Sequence, residues 1–188
     1  MAAESAVIVE SPSSAPASAV SLSARRGTAY YSRLLRGLSD DALREPSAVD
    51  GFDRAQVVAS VALDARGLAV AMDALTRDEP AETAPEWELP WAELVTYTAT
   101  LPAGALRNLH DHTVVHLNVA ARDLARDAWS TPLEVWGSRA SAQEYLRRRE
   151  RQIWVASLCL RAGGVLSDLP DPSWAAAPLR MPTLIRAR

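Results

Sequence analysis

The sequence predicts an all-α fold, a bundle of four long helices joined by long irregular connections. Four segments carry apolar residues at helical spacing, and stretches containing glycine or proline separate them. The 188 residues are enough for one domain with its own hydrophobic core. Helices with one apolar face bury that face by packing together. We therefore expect a single helical domain over residues 22–170.

The first half of the chain predicts a leader and two helices. Residues 1–21 include the segment SPSSAPASAV, lack helical periodicity and are predicted to be a flexible leader. The first helix is expected from Ser23 to Gly37 and the second from about Asp53 to Leu75, with Asp53 as the N-cap. The intervening segment contains Pro46 and the turn-forming pair Asp50-Gly51, so it is a connection.

The second half predicts two more long helices and several irregular segments. The acidic, proline-containing stretch RDEPAETAPEWELP is a loop, and residues 171–188 hold too many prolines for a helix. This tail is expected to pack on the bundle through Trp174 and Leu179. The other segments, in chain order, are residues 91–100, ambiguous between helix and strand; a helix from about Pro102 to Asp127; a small hairpin or extended excursion from Thr131 to Ala140; and a helix from Ser141 to Arg161.

Composition limits the partners and the compartment. A net charge of −3 and a pI of about 5.6 argue against nucleic acid or an anionic membrane as the partner. The single cysteine, Cys159, cannot form an internal disulfide, and Glu4 and Glu10 lie where a secretion signal would be basic and then apolar. We expect a cytoplasmic monomer or homodimer that binds a small molecule.

Two segments carry a resemblance to a known family. The segment LSDDALREPSAVDGFDRAQVVASVA, from Leu38 to Ala62, and the segment RQIWVASLCLRAGGVLSDLP, which starts at Arg151, are similar to the two signatures of the mycothiol-dependent maleylpyruvate isomerase family. That family is part of the DinB-like superfamily. The resemblance covers about residues 22–170 and implies a DinB-like four-helix bundle.

The resemblance also implies a metal site whose ligands are replaced here. In the family, a His of the second helix and a Glu and a His of the fourth hold a divalent metal. Ser60, Gln152 and Ala156 stand at those three positions, and Cys159 stands where the family has an Asp. A hydroxyl and a neutral amide bind such a metal poorly and alanine does not bind it, so we expect no metal and no other cofactor.

Helical spacing predicts what surrounds the former metal position. Gln152, Ala156 and Cys159 share one stripe of the fourth helix, and Ser60 shares a stripe with Asp64. If the two stripes face each other across a cavity, the pocket is lined by Ser60, Asp64, Tyr145, Gln152, Ala156 and Cys159. The alternative is that the pocket has collapsed into ordinary core. A buried Asp64 would need an arginine partner or a wet cavity.

Two further groups each have two or more interpretations. Arg149, in the run LRRRE, belongs either to a solvated helix face or to the pocket mouth, where it could hold a substrate carboxylate. His112 and His116 are one helical turn apart, with Asp123 predicted on the same side. Three interpretations stay open. His116 borders the apolar face and His112 lies at the surface without a function, or His116 is an acid or base that reaches the pocket, or the group is a relocated metal site.

These observations predict a metal-independent enzyme that acts on a small molecule, of the isomerase, cyclase or lyase type, in a biosynthetic setting such as secondary metabolism. The expected catalytic residues are Asp64, His116 and Tyr145, and the expected substrate-binding residues are Ser60, Arg149, Gln152, Ala156 and Cys159. Two alternatives stay open at this point: a non-catalytic binding or regulatory domain, and a mycothiol-dependent transferase or isomerase.

Overall fold

The computed structural model describes residues 17–79 and 88–176, and they form a helical bundle with one small hairpin. The predicted all-α fold is confirmed. The elements are helices α1 (Ala17–Gly37), α2 (Arg54–Arg77), α3 (Trp91–Ala99), α4 (Ala103–Asp123) and α5 (Ala142–Cys159), and strands β1 (Pro132–Val135) and β2 (Ser138–Ser141). Short 3-10 helices lie at Asp41–Arg44, Asp127–Ser130, Leu166–Asp168 and Pro172–Ala176.

The helix boundaries differ from the expected ones at three places. Helix α1 begins at Ala17, within the predicted leader, whose residues 1–16 lie outside the described part of the chain. Helix α4 ends at Asp123, four residues before the expected end. The ambiguous segment 91–100 forms the short helix α3. Trp174 packs against the core as expected, while Leu179 lies outside the described residues.

Side-chain caps fix the starts of two helices that position the site. The carboxylate of Asp53 accepts a hydrogen bond from the backbone N–H of Gln56, and the Gln56 side chain accepts one from the Asp53 N–H. This reciprocal capping box satisfies two otherwise unpaired donors at the start of α2. At the start of α5, the Ser141 hydroxyl accepts a hydrogen bond from the Glu144 N–H.

The hairpin that precedes α5 has a two-residue turn. Strands β1 and β2 are antiparallel, and Val135 pairs with Ser138 across the turn. Trp136 and Gly137 both have positive φ, 52° and 68°, as a type I′ turn requires at its two central residues. Of the two forms expected for Thr131 to Ala140, a small hairpin or an extended excursion, the structure shows the hairpin.

Helix α2 is the centre of the bundle. It packs most extensively on α4 and also contacts α3 and α5, while α1 packs on α5. Its length and composition would allow it to cross a membrane, yet 78% of its most apolar window is buried inside the fold. Such burial is typical of the core helix of a globular domain, and its apolar character is accounted for by packing.

Close helix packing depends on Gly27, where α1 crosses α5. A Cβ atom added at Gly27 would lie 2.7 Å from Trp154 Nε1 and 2.9 Å from Ile153 Cγ2. We expect Gly27→Ala to lower the free energy of unfolding by about 1–3 kcal/mol through overpacking. Gly104→Ala in α4 is the control, because nothing lies within 4 Å of its added Cβ. Urea unfolding of both variants checks the prediction, and equal stability of the two would contradict it.

Candidate functional site

Arg149 is the buried cation of the bundle interior. Its side chain, on the inner face of α5, is 4% exposed. Nη1 donates hydrogen bonds to the Val61 carbonyl on α2, at 2.9 Å, and to Gln152 Oε1, at 3.2 Å. The carboxylate oxygen Oδ2 of Asp64 lies 3.9 Å from the same nitrogen. The solvated-face interpretation of Arg149 is therefore wrong.

The charge of Arg149 is retained in this environment. Burial lowers the pKa of the guanidinium, and the nearby Asp64 carboxylate opposes that shift. An arginine pKa starts so high that the side chain stays protonated in proteins. The interior therefore contains a fixed cation 3.9 Å from Asp64, and an arginine was one of the two partners, besides a wet cavity, that a buried Asp64 was expected to need.

Three other predicted pocket residues are buried, Ser60 on α2 and Ala156 and Cys159 on α5. Ser60 lies one turn before Asp64 on the inner stripe of α2, and its hydroxyl is fully buried with no hydrogen-bond partner among the described residues. Ala156 is also fully buried. Burial raises the pKa of the Cys159 thiol to about 11, so this group is neutral at pH 7 and not a nucleophilic thiolate.

The side chains of Tyr145 and His116 hydrogen-bond to groups other than Arg149. The Tyr145 hydroxyl donates a hydrogen bond to the Ser138 carbonyl of the hairpin, and its ring packs in a second core cluster that does not contain Ala156 or Cys159. His116 Nε2 lies 2.6 Å from Asp73 Oδ2 at a half-exposed position. The structure does not bring these two expected catalytic residues to Arg149.

The expected grouping of His112, His116 and Asp123 is only partly present. His112 and His116 do line one open groove of about 440 Å³ on the α4 surface, together with Arg66, Leu109 and Thr113. Asp123, however, pairs with the guanidinium of its neighbour Arg122 at 2.7 Å and does not join the histidines. The prediction for Asp123 is wrong, because an adjacent arginine lies closer than an imidazole two turns away.

His110, the buried histidine of α4, was not among the residues predicted from the sequence. Its Nε2 lies 2.8 Å from the Ser32 hydroxyl, and its ring centroid is 5.1 Å from that of Tyr31. Burial, and secondarily the charge of Arg149, lowers the pKa of His110 to about 4, so the imidazole is neutral at pH 7. The signal was its position: His110 lies on the buried face of α4 with Leu106, Thr113, Leu117 and Ala120, whereas Leu109 is only half-buried.

A narrow crevice between α1, α4 and α5 reaches Arg149. It encloses about 50 Å³, room for a few water molecules or a small organic group. Its lining is mainly apolar. The residues that form it are Ala24, Arg25, Thr28, Val114, Leu117, Asn118, Ala121, Leu146 and Arg149.

The donor set at the positions that the family resemblance assigns to metal ligands does not fit a divalent cation. Ser60 offers a hydroxyl, Gln152 offers an amide oxygen that already accepts from Arg149, and Ala156 offers nothing. The guanidinium, which bridges α2 and α5 here, would repel a second cation. Within residues 17–79 and 88–176, no three His, Cys, Asp or Glu side chains are grouped so that they could hold a metal.

Comparisons with known proteins show what the chain is similar to. The family described as "Mycothiol maleylpyruvate isomerase N-terminal domain" matches residues 24–156. The crystal structure of the mycothiol-dependent maleylpyruvate isomerase is 33% identical, with a TM-score of 0.73, and that of a histidine-to-alanine mutant of it is 34% identical, with a TM-score of 0.74. Each comparison covers 84% of this chain and 66% of the solved one.

The chain thus spans about two thirds of the length of the solved proteins that it matches. A comparison with curated proteins finds no match. The family match covers well over half of the 188 residues, and the solved structures share the same helical fold. The chain belongs to the mycothiol maleylpyruvate isomerase N-terminal domain family.

Proposed function

We propose that this protein is a metal-independent enzyme that acts on a small molecule, with a reaction of the isomerase, cyclase or lyase type. The observation that carries the proposal is the Arg149 guanidinium. It lies between α2 and α5, hydrogen-bonded to Gln152 Oε1 and to the carbonyl that follows Ser60. A fixed organic cation thus contacts Gln152 and the residue next to Ser60, and Gln152 and Ser60 are two of the three positions that the resemblance assigns to the family's metal ligands.

Arg149 can supply the electrostatic part of such a reaction. Its contacts with Val61, Gln152 and Asp64 hold the guanidinium in place before a substrate arrives. A preorganised cation with little exposure to water stabilises negative charge that develops on a carbonyl or carboxylate oxygen. Asp64, whose side chain is 20% exposed, carries a carboxylate that can accept a proton beside that charge.

A thiol-dependent reaction is the second candidate, and the solved relatives favour it because they are described as mycothiol-dependent. The chain's own thiol does not serve this purpose, since Cys159 is buried and protonated. A thiol would therefore come from a bound small molecule. Calorimetric titration with mycothiol separates this candidate from a thiol-independent enzyme. A non-catalytic binding domain would bind small molecules and turn over none.

Metal content is the first test of the proposal. We expect the purified protein to contain far less than one equivalent of divalent metal per chain and to keep its melting temperature in chelator, because Ser60, Gln152 and Ala156 replace the ligand set. Elemental analysis and thermal melting measure both quantities. One equivalent of metal, removable by chelator with a loss of melting temperature, would contradict the proposal and direct attention to His112 and His116.

Turnover is the second test. The chelator-treated protein is assayed for isomerisation of maleylpyruvate and related keto acids, with and without mycothiol. Turnover without added metal supports the proposal, and Arg149→Lys is expected to lower it strongly because an ammonium cannot reproduce the guanidinium geometry. Turnover that appears only after a divalent metal is added would contradict it.

A further inference from the structure

Two histidines and a carboxylate meet on the outer side of the bundle, where α2 packs on α4. His112 and His116 line the open groove of about 440 Å³. They are four residues apart on α4, so their side chains are neighbours on one face of the helix. The carboxylate oxygen Oδ2 of Asp73, on α2, lies 2.6 Å from His116 Nε2. Neither Arg149 nor Asp64 lines this groove, so the three residues form a separate group.

The contact with Asp73 determines which ring nitrogen of His116 can bind a metal. An ionised carboxylate only accepts hydrogen bonds, so Nε2 carries the proton that it donates to Asp73. In the neutral ring, Nδ1 then keeps its lone pair. Histidines that bind metals almost always donate their other ring N–H to a carboxylate, a backbone carbonyl or water, which orients the ring and makes the binding nitrogen more basic. His116 and Asp73 have this arrangement.

His112 supplies a second nitrogen. Two histidines at positions i and i+4 of one helix face can bind the same ion, as they do in zinc-binding helices. His112 is exposed, so its ring can turn toward a bound ion without leaving a packed position. Asp73 does not line the groove, so the protein supplies two ligands, and water takes the remaining positions around the ion. This agrees with the absence of a three-residue ligand group in the part of the chain that the structure describes.

A pair of neutral imidazoles selects the metal. Mg²⁺ and Ca²⁺ prefer oxygen ligands, whereas imidazole suits Cu²⁺, Ni²⁺ and Zn²⁺, with the highest affinity for Cu²⁺. Arg66 also lines the groove, and its positive charge is opposed by Asp73, which lies seven residues later on the same face of α2. The ion therefore gains no net attraction from charged groups and exchanges readily with the solvent.

We propose that His112 and His116, with Asp73 orienting the His116 ring, form an exchangeable binding site for Cu²⁺, Ni²⁺ or Zn²⁺ on the surface of α4. The site goes beyond the proposed function, because it is separate from Arg149 and Gln152, neither of which lines the groove. Metal bound here takes no part in the proposed reaction. Because the ion is exchangeable, the purified protein is still expected to contain far less than one equivalent of metal.

Calorimetric titration of the metal-free protein with Cu²⁺, Ni²⁺, Zn²⁺ and Mg²⁺ tests the proposal. We expect wild type to bind one equivalent of Cu²⁺ most tightly and to bind Mg²⁺ far more weakly than the other three. His112→Gln and His116→Gln should each weaken Cu²⁺ binding by about tenfold or more, because one imidazole remains. Asp73→Asn keeps an acceptor oxygen but loses the charge, and should weaken binding by about tenfold. Asp123→Asn is the matched control, because Asp123 pairs with Arg122, and should keep the wild-type affinity.

Thermal melting gives an independent readout. Metal that binds the folded protein raises the melting temperature as its concentration rises, and this increase should be lost in His112→Gln, which without metal melts like wild type because position 112 is exposed. The proposal is overturned if none of Cu²⁺, Ni²⁺ and Zn²⁺ binds wild type at millimolar concentration, or if Mg²⁺ binds as tightly as they do. It is also overturned if either histidine variant or Asp73→Asn keeps the wild-type affinity, or if Asp123→Asn loses as much affinity as Asp73→Asn.

Discussion

Arg149→Met is expected to lower the free energy of unfolding by about 3 kcal/mol, the lower end of the range for removing one partner of a buried ion pair. The substitution leaves the Val61 carbonyl and Gln152 Oε1 without their donor and removes the positive charge that lies 3.9 Å from the Asp64 carboxylate. The loss stays at the lower end because the Asp64 side chain is 20% exposed and keeps some hydration. Urea unfolding at pH 7.5 measures it.

Arg148→Met is the matched control for this prediction. Arg148 precedes Arg149 on α5 and pairs with Glu144, but both of those side chains are about half exposed. Exposed pairs of this kind contribute about 0–1 kcal/mol, so the control should change stability by less than that. A loss in Arg149→Met no larger than the loss in Arg148→Met would contradict a structural role for the buried guanidinium.

A double variant separates the charge from the packing. If the loss in Arg149→Met comes from removing the positive charge beside Asp64, then replacing both residues, as Arg149→Met with Asp64→Leu, should restore part of the stability. If the double variant is as unstable as the sum of the two single variants, the side chains act independently and the 3.9 Å pair contributes no coupling.

The fold was predictable because its signals are local. The capping residue Asp53, the helical spacing in α2 and α5 and the turn around Gly137 each specify structure within a few residues. Four amphipathic helices then have few ways to bury their apolar faces. The family resemblance added which helix positions face one another, and so identified Ser60, Gln152 and Ala156 as a group.

The side chains that lie beside Ser60 and Gln152 were not predictable from these local sequence signals. Arg149 belongs to a run of arginines that normally marks a solvated face, and its burial depends on a hydrogen bond to Val61, a residue 88 positions earlier in the chain. His110 was overlooked because only the spacing of His112 and His116, one helical turn apart, suggested a candidate site in this segment. Tyr145 hydrogen-bonds to Ser138 of the hairpin. Helical periodicity does not predict where the hairpin lies relative to α5.

Lowering the pH from 7 to 5, before most carboxylates begin to titrate, should destabilise the protein because of His110. Its pKa is about 4 in the folded state and about 6.5 when it is exposed. Between these values the unfolded state binds more protons, so the stability is fully present above about pH 6.5 and is lost as the pH falls toward 4. The complete loss is about 3 kcal/mol, of which about 2 kcal/mol falls between pH 7 and pH 5.

His110→Gln should remove this pH dependence. An amide at position 110 can still bond to Ser32 but cannot titrate, so whatever stability the variant has should change little between pH 7 and pH 5. His112→Gln, at an exposed position two residues further on α4, should keep the wild-type slope. Urea unfolding at half-unit pH steps measures all three proteins. A slope in His110→Gln equal to that of wild type would show that protonation of another group governs the acid response, and that His110 is more accessible to water than its burial against α1 indicates.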